Sequence, residues 1–188
     1  MDTPDYSYPK YAKILHMGLA VFGIAAYLTG ENAESGADST GYLLHTYLGL
    51  SLTLFWLARL LPGLFGRGPL NFSGWSPLSI RQWAMGWEDI KTLVRLRVPP
   101  RGMHEGIAGL TQAFGLFLFG LMGATGTGLF FLGGGPESDF FEGLEEVHEL
   151  GEALIPLYLA LHVGSVVVHL VAGEQIWKRM WTFSRSRP

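Results

Sequence analysis

The chain has 188 residues, of which 48% are apolar and only 15% are charged, a composition typical of a small membrane protein. It contains no cysteine, which excludes disulfides, thiolate zinc sites, iron–sulfur clusters and cysteine nucleophiles, and leaves histidine as the principal soft metal ligand. The net charge of −3 is small, and no charge pattern typical of nucleic-acid binding is present.

Four apolar stretches are long enough to cross a hydrocarbon core, which needs about 20 helical residues. They cover residues 11–29, 41–61, 107–132 and 147–172. We therefore predict an all-α integral-membrane four-helix bundle, in which residues 1–188 form a single transmembrane domain.

The segments that connect these spans differ in charge. The loops GENAESGADST and GGGPESDFFEGLEE, after the first and third spans, are acidic and contain no lysine or arginine. All thirteen basic residues lie on the other side: Lys10, Lys13, Arg59, Arg67, Arg81, Lys91, Arg95, Arg97, Arg101, Lys178, Arg179, Arg185 and Arg187. Because basic residues favour the cytoplasmic side, we predict that both termini and the central loop are cytoplasmic.

The central loop is predicted to contain a helix over residues 77–98. Ser76 and Pro77 can form its N-cap and first turn, and the two prolines that begin at Pro99 stop it. Apolar residues recur at helical spacing: Ile80, Trp83, Trp87, Ile90 and Val94. The charged residues Glu88, Lys91 and Arg95 share another face. This pattern indicates a helix in the membrane interface, and packing on a partner subunit is the alternative.

The chain has six histidines: His16, His45, His104, His148, His162 and His169. A single histidine in a membrane span is usually hydrogen-bonded to a neighbouring helix. Counted from the outer end of each span at about 1.5 Å per residue, however, His16 and His162 share a depth of about 21 to 22 Å. His45 and His148 both lie within about 6 Å of the outer ends. The agreement in depth indicates two pairs at two levels.

Paired imidazoles suit haem iron, because two neutral nitrogens on opposite sides of a flat macrocycle fill both axial positions. His148 and His162 are 14 residues apart on the fourth span and project from nearly the same face, so one helix can ligate two stacked cofactors. Small residues lie two to four positions from these histidines: Gly18, Gly49, Gly151 and Gly164. The third span carries Gly120, Gly123, Gly126 and Gly128, for which ordinary close helix packing is an equal alternative.

Four sequence segments carry a family resemblance. They are ILHMGLAVFGIAAYLTG, LLHTYLGLSLTLFWLARLLPG, MHEGIAGL and VHELGEALIPLYLALHVGSVVVHL. Over nearly its whole length the chain resembles the bacterial di-haem cytochrome b family, which includes the five-sixty-one type and the b-type subunits of nickel–iron hydrogenases and formate dehydrogenases. The spacing of the three histidines in the fourth segment is the most specific match.

The resemblance implies two haem b groups, with His16 and His162 as axial ligands of one iron and His45 and His148 as ligands of the other. These pairs agree with the depth count. It further implies a location in the bacterial inner membrane as a multi-pass protein, contact with membrane lipid, and a bound quinone as a further cofactor.

Three other residues are candidates for supporting roles. His169, two turns beyond His162, could replace it as a ligand or lie beside a haem propionate or a quinone. Arg59 is expected near the cytoplasmic haem, where a propionate or quinone would favour positive charge, whereas Lys13 could merely anchor the interface. His104 is followed by Glu105 and Gly106, whereas the family commonly has H-N-P here. Two alternatives stay open for His104: a surface or capping role, or proton uptake beside a quinone.

The leading function is electron transfer across the membrane between a quinone and a periplasmic c-type cytochrome or catalytic redox subunit. An electron-transfer subunit is favoured over a stand-alone enzyme, and no catalytic residue is assigned. One alternative is a stand-alone superoxide:quinone oxidoreductase, and another is a non-haem transporter that uses its buried histidines as stations. Homo- and hetero-oligomers both stay open.

Overall fold

The computed structural model describes residues 8–36, 39–68, 70–99, 104–132 and 138–181. These residues are 81% helical and include no strand, which confirms the all-α prediction. The helices are α1 (Lys10–Leu28), α2 (Thr40–Leu64), α3 (Ile80–Val94), α4 (Gly106–Leu132), α5 (Asp139–Val171) and α6 (Lys178–Trp181). Short 3-10 turns at Glu31–Ser35 and Phe72–Gly74 lie in the connections.

Four of these helices, α1, α2, α4 and α5, are long and apolar enough to cross a membrane, which confirms the predicted number of spans. The bounds of α1 and α4 lie within one residue of the predicted ones. The apolar span predicted over residues 41–61 lies within α2, which continues through Pro62 to Leu64. Pro62 lies in the last turn and has no N–H to donate to the preceding turn, and its own carbonyl accepts the Gly66 N–H at 3.2 Å.

The predicted start of the fourth span at residue 147 describes the apolar part of α5 and not the helix itself. The helix begins at Asp139, because the Ser138 hydroxyl accepts the Phe141 N–H at 3.2 Å and acidic residues in the first turn favour the positive end of the helix dipole. With 33 residues α5 is about 50 Å long, well above the thickness of a hydrocarbon core of about 30 Å.

The end of α5 is closed by a left-handed turn. Gly173 has a φ of 88°, its N–H donates to the Leu170 carbonyl at 3.0 Å, and the next N–H, of Glu174, donates to the His169 carbonyl at 2.8 Å. This pair of hydrogen bonds is a Schellman motif, in which glycine adopts positive φ without a Cβ clash. It ends the helix directly after the last apolar residues.

The helix predicted over residues 77–98 corresponds to α3, which is shorter and covers Ile80–Val94. Its N-cap is Ser79, whereas Ser76 accepts the Leu78 N–H in a preceding turn. At the other end Leu96 takes a φ of 55°, which breaks the helical path before Pro99 is reached. The helix itself is therefore observed, and its place at the membrane interface stays a prediction.

The chain divides into two compact units. Unit 2 is Met17–Leu60 with Phe114–Tyr158, and it contains segments of all four long helices. Large side chains pack against glycines of α4 in this unit. The Trp56 ring lies against Gly120, and the Trp56 Nε1 donates to the Leu116 carbonyl at 2.7 Å. The ring of Tyr158 packs edge-on against Phe119 at 5.4 Å.

Unit 1 is Met1–His16, Leu61–Ala113 and Leu159–Pro188, as far as these residues are described. It contains α3, α6 and end segments of α1, α2, α4 and α5. Polar contacts through Gln82 and Asp89 join α3 to the residues that begin α4.

Some predicted features lie outside the described residues. These are the basic residues Arg101, Arg185 and Arg187, the proline Pro100 and residues 133–137 of the acidic loop. The assignment of both termini to the cytoplasm and the single-domain organisation stay predictions.

Candidate functional site

His45 and His148 lie together in unit 2, and we call them pair 2. Their ring centroids are 6.2 Å apart and the rings are nearly perpendicular, at 83°. The His45 Nδ1 lies 3.0 Å from the Ala26 carbonyl oxygen. Since a carbonyl can only accept, His45 carries its proton on Nδ1, and its Nε2 keeps the lone pair that a metal would need.

The second ring of pair 2 is oriented by a hydroxyl. The His148 Nδ1 lies 2.8 Å from the Thr125 Oγ1, and that hydroxyl also contacts the Leu121 carbonyl at 2.8 Å. Because the carbonyl takes the hydroxyl proton, Thr125 accepts from the Nδ1–H of His148. Both rings of pair 2 are thus in the tautomer with Nε2 unprotonated, which is the ligating form.

His16 and His162 lie together in unit 1, and we call them pair 1. Their ring centroids are 6.0 Å apart and the rings are tilted by 40°. Among the described residues the buried His16 Nδ1 has no hydrogen-bond partner, and the Trp181 ring meets the His16 ring edge-on at 6.0 Å. Pair 1 is therefore supported on the His16 side by ring packing rather than by a hydrogen bond.

Both pairs have the spacing that a shared iron atom requires. Metal–imidazole bonds of about 2 Å on both sides of one metal ion place the two ring centroids about 6 Å apart. The observed separations of 6.0 and 6.2 Å match that value. The residues present therefore fit bis-histidine haem ligation, which itself stays a prediction.

The glycines near the histidines fall into two groups. A Cβ at Gly49 or Gly164 would meet no atom within 4 Å, so these positions leave room beside His45 and His162 for a flat macrocycle. A Cβ at Gly18 would instead collide with the Phe55 ring. The same holds for Gly151, where the Met122 sulfur occupies the space. Only the first two glycines thus fit the predicted role beside a cofactor.

The third-span glycines serve close packing, the alternative that the sequence left open. A Cβ at Gly123 would lie 2.7 Å from the Thr53 hydroxyl, and one at Gly126 would lie 3.1 Å from the His148 ring. These glycines let the neighbouring side chains approach the α4 backbone. Gly126 thereby contributes to the placement of His148.

His169 has a partner of its own near the end of α5. Its Nδ1 lies 2.8 Å from a carboxylate oxygen of Glu174, which follows the closing turn of the helix. The pairing holds the ring beside the helix end and does not involve its Nε2. A role for His169 as a ligand, or beside a propionate or quinone, stays a prediction.

His104 is only 8% exposed, so a surface position for it is wrong. Its Nε2 lies 3.2 Å from the Tyr8 hydroxyl, and its ring packs on Trp75 with centroids 5.2 Å apart. Its φ of 57° places its carbonyl where Gln82 can donate to it at 2.9 Å. His104 thus helps to shape the entry to α4, in keeping with the capping alternative.

Each unit buries one basic side chain of a membrane-spanning helix. Lys13 is 3% exposed and lies one turn before His16 in unit 1, and its place at the membrane interface stays a prediction. Arg59 is 5% exposed and lies in unit 2. Positive charge on a membrane-spanning helix favours contact with anionic groups, so a role for Arg59 beside a haem propionate or a quinone stays a prediction.

The sequence did not single out Thr125, the Ala26 carbonyl or Trp181, which orient or contact the paired histidines. A threonine in a span gives no signal by type alone, because its hydroxyl usually bonds back to its own helix. The only available cue was its position among closely packed glycines of α4. The Ala26 acceptor is a backbone carbonyl, which every residue has, so the sequence cannot identify it.

One family model matches the chain, described as prokaryotic cytochrome b561, and it covers residues 7–183. No curated protein and no solved structure gives a significant match. The family match confirms the resemblance to bacterial b-type cytochromes. It covers nearly the whole chain, including all six histidines, and the chain therefore belongs to the prokaryotic cytochrome b561 family of haem-binding, electron-transferring membrane proteins.

Proposed function

We propose that this chain is a di-haem cytochrome that carries electrons across the bacterial inner membrane between a quinone and a redox partner on the periplasmic side. The observation that carries the proposal is the presence of two histidine pairs, one in each unit, with iron-compatible separations of 6.0 and 6.2 Å. Each pair takes one of its histidines from α5.

The residues of each pair would hold one haem b. His16 and His162 are the proposed axial ligands in unit 1, and His45 and His148 are those in unit 2. When bound, a haem supplies one-electron redox chemistry at each pair. The protein's own contribution is to present Nε2 of each ring, to exclude water by burial, and to stabilise the anionic propionates with buried cations such as Arg59.

The distribution of charged residues indicates which side of the membrane each histidine pair faces. Basic residues lie in the first turn of α1, in and after the last turns of α2, and in the segment after α5, and the loops at the opposite ends of these helices are acidic. By the positive-inside bias, pair 1 is proposed on the cytoplasmic side and pair 2 on the periplasmic side. A quinone would then exchange electrons at the cytoplasmic side, with Arg59 and His169 as the proposed contacts.

The periplasmic partner is proposed to be a basic redox protein, such as a c-type cytochrome, or a catalytic redox subunit. The first turns of α5 and the loop before α2 expose a set of carboxylates in unit 2, the unit that holds pair 2. These are Glu31, Asp139, Glu142, Glu145, Glu146 and Glu149. Such a surface would speed the association of a cationic partner, with a rate that falls as ionic strength rises.

The test uses haem-loaded protein in sealed vesicles with ferricyanide trapped inside and a soluble quinol added outside. Wild-type vesicles should reduce the trapped ferricyanide, whereas His148→Ala and His162→Ala vesicles should both fall to the rate of protein-free vesicles. Equal rates in wild-type and variant vesicles would contradict transfer through both pairs. Reduction of the isolated protein by superoxide at a rate above that by quinol would favour the superoxide:quinone oxidoreductase instead.

A further inference from the structure

Helix α3 presents three different faces. Its buried face is polar and consists of Gln82, Gly86 and Asp89. Its apolar side chains point outward: Ile80 and Val94 are 88% and 78% exposed, and Trp83, Trp87 and Ile90 are exposed beside them. The remaining face carries charged residues such as Arg81 and Lys91. This helix is therefore inverted relative to a helix of a water-soluble protein, which buries its apolar stripe.

The polar face is held in place by hydrogen bonds to the residues that begin α4. The Gln82 Nε2 donates to the carbonyls of His104 and Gly106, at 2.9 and 3.1 Å. The Asp89 carboxylate accepts the Ile107 N–H at 2.9 Å. Gly106 has a φ of 59°, and a Cβ there would collide with that carboxylate. These contacts fix the rotation of α3, so its apolar row cannot turn inward.

The length of α3 and its place in the chain restrict where it can lie. With 15 residues it is about 22 Å long, too short to cross a hydrocarbon core of about 30 Å. It lies between α2 and α4, which are both candidate spans. It must therefore stay on the side of the membrane where α2 ends and α4 begins.

The charges beside the apolar row indicate what covers it. Lys91 pairs with Glu88 at 2.8 Å and lies 5.8 Å from the centre of the Trp87 ring, at the border of the apolar row. Arg81 and Arg95 are exposed along the same side. Tryptophans flanked by lysine and arginine are typical of the boundary between acyl chains and anionic headgroups. A protein partner would be expected to offer carboxylates to these charges, whereas anionic lipids offer both phosphate and apolar chains.

We propose that the apolar row of α3, formed by Ile80, Trp83, Trp87, Ile90 and Val94, lies at the boundary between the acyl chains and the headgroups of an anionic bilayer, with the basic face toward the phosphates. In this arrangement α3 is a surface anchor that holds the entry of α4 at the membrane boundary through Gln82 and Asp89. The proposal does not depend on the number of haems or on the redox partner.

The absence of native cysteine permits a direct test with single-cysteine variants labelled with bimane, in vesicles containing phosphatidylglycerol. Val94→Cys reports the apolar row, and Glu88→Cys, about 120° around the helix, is the matched control. Bimane at 94 should be quenched several times more strongly by doxyl-labelled lipid than by aqueous iodide, and bimane at 88 should show the reverse order. An unchanged haem spectrum verifies that each variant is folded.

Three outcomes overturn the proposal. Stronger quenching by iodide at 94 places the apolar row in water, and weak quenching by both agents places it under protein. Equal quenching by doxyl-phosphatidylglycerol and doxyl-phosphatidylcholine at 94 contradicts the anionic preference. Stronger quenching by doxyl-phosphatidylglycerol than by doxyl-phosphatidylcholine should become weaker in the double variant Arg81→Gln and Arg95→Gln. This variant removes charge from the basic face and leaves the apolar row unchanged.

Discussion

The two histidine pairs have almost the same ring separation but are supported differently. In pair 2 both Nδ1 atoms are hydrogen-bonded, to the Ala26 carbonyl and the Thr125 hydroxyl. In pair 1 the buried His16 Nδ1 has no such partner among the described residues, and the ring is contacted by Trp181. Similar ligand spacing can thus be maintained by hydrogen bonds or by packing. The two sites should therefore respond differently to substitutions around the ligands.

The largest effect is expected from the ligands themselves. His148→Ala should remove the haem of pair 2 and leave the other, and His162→Ala should do the reverse, because bis-histidine ligation fails when one axial nitrogen is lost. The haem content measured as a pyridine haemochrome should fall by half in each variant. His169→Ala, whose imidazole is paired with Glu174, should retain both haems.

Loss of neither haem in these two variants would show that the pairing is wrong. The same conclusion would follow if His169→Ala had the effect expected of His162→Ala. Redox titration of the remaining haem identifies which pair survives, so an unfolded variant, which loses both haems, is recognised at once.

The next effect concerns the hydroxyl that orients pair 2. Thr125→Val keeps the shape of the side chain but leaves the His148 Nδ1–H without its acceptor, and loss of such an outer partner typically weakens metal affinity about 10- to 100-fold. We expect faster loss of the pair 2 haem to apomyoglobin, with the pair 1 haem unaffected. Thr127→Val is the matched control, since the Thr127 hydroxyl has no hydrogen-bond partner among the described residues. Equal loss rates in the two variants would contradict the distinction between the pairs.

A smaller effect is expected from the buried arginine. Reduction adds a negative charge to a haem site, so a nearby buried cation favours the reduced state. Arg59→Gln should lower the midpoint potential of the pair 1 haem, on a scale where about 59 mV corresponds to a tenfold change for one electron. Potentiometric titration checks the shift. A shift confined to the pair 2 haem would contradict the predicted location of Arg59 near the cytoplasmic haem.

The smallest effect is expected from the contact between α3 and α4. Asp89 is 1% exposed and accepts the Ile107 N–H, so Asp89→Ala, which removes this acceptor, should lower the free energy of unfolding by about 1 kcal/mol, as for loss of a helix cap, and lower the midpoint of thermal unfolding by a few degrees. Both haems should be retained. Glu88→Ala, which removes an exposed ion pair with Lys91, is the control and should leave the midpoint nearly unchanged. A lower haem content in the Asp89 variant would indicate that pair 1 depends on α3.

The four spans and the two histidine pairs were predictable because each rests on a strong periodic or compositional signal. Apolar length identifies a span irrespective of its neighbours. Helical rise then converts residue number into depth, which brings His16 to the level of His162 and His45 to that of His148. The observed ring separations show that these residues do come together, although their role as haem ligands is still to be tested.

The remaining features depend on contacts that one sequence does not display. The start of α5 at Asp139 follows from the Ser138 cap, a local hydrogen bond that the apolar length of a span does not reveal. The burial of Gln82 and Asp89 could not be read from α3 alone, because their partners are backbone groups of residues 104–107. For the same reason, apolar periodicity correctly indicated the row from Ile80 to Val94 but not which face of α3 would be buried.

Each histidine pair is proposed to hold one haem. The most direct measurement is the ratio of haem b to polypeptide in detergent-purified protein, combined with low-temperature electron paramagnetic resonance of the oxidised form. We expect two haems per chain and two distinct low-spin ferric signals, of which only the pair 2 signal changes in Thr125→Val. A ratio of one haem per chain, or a high-spin signal from a fully loaded sample, would contradict it.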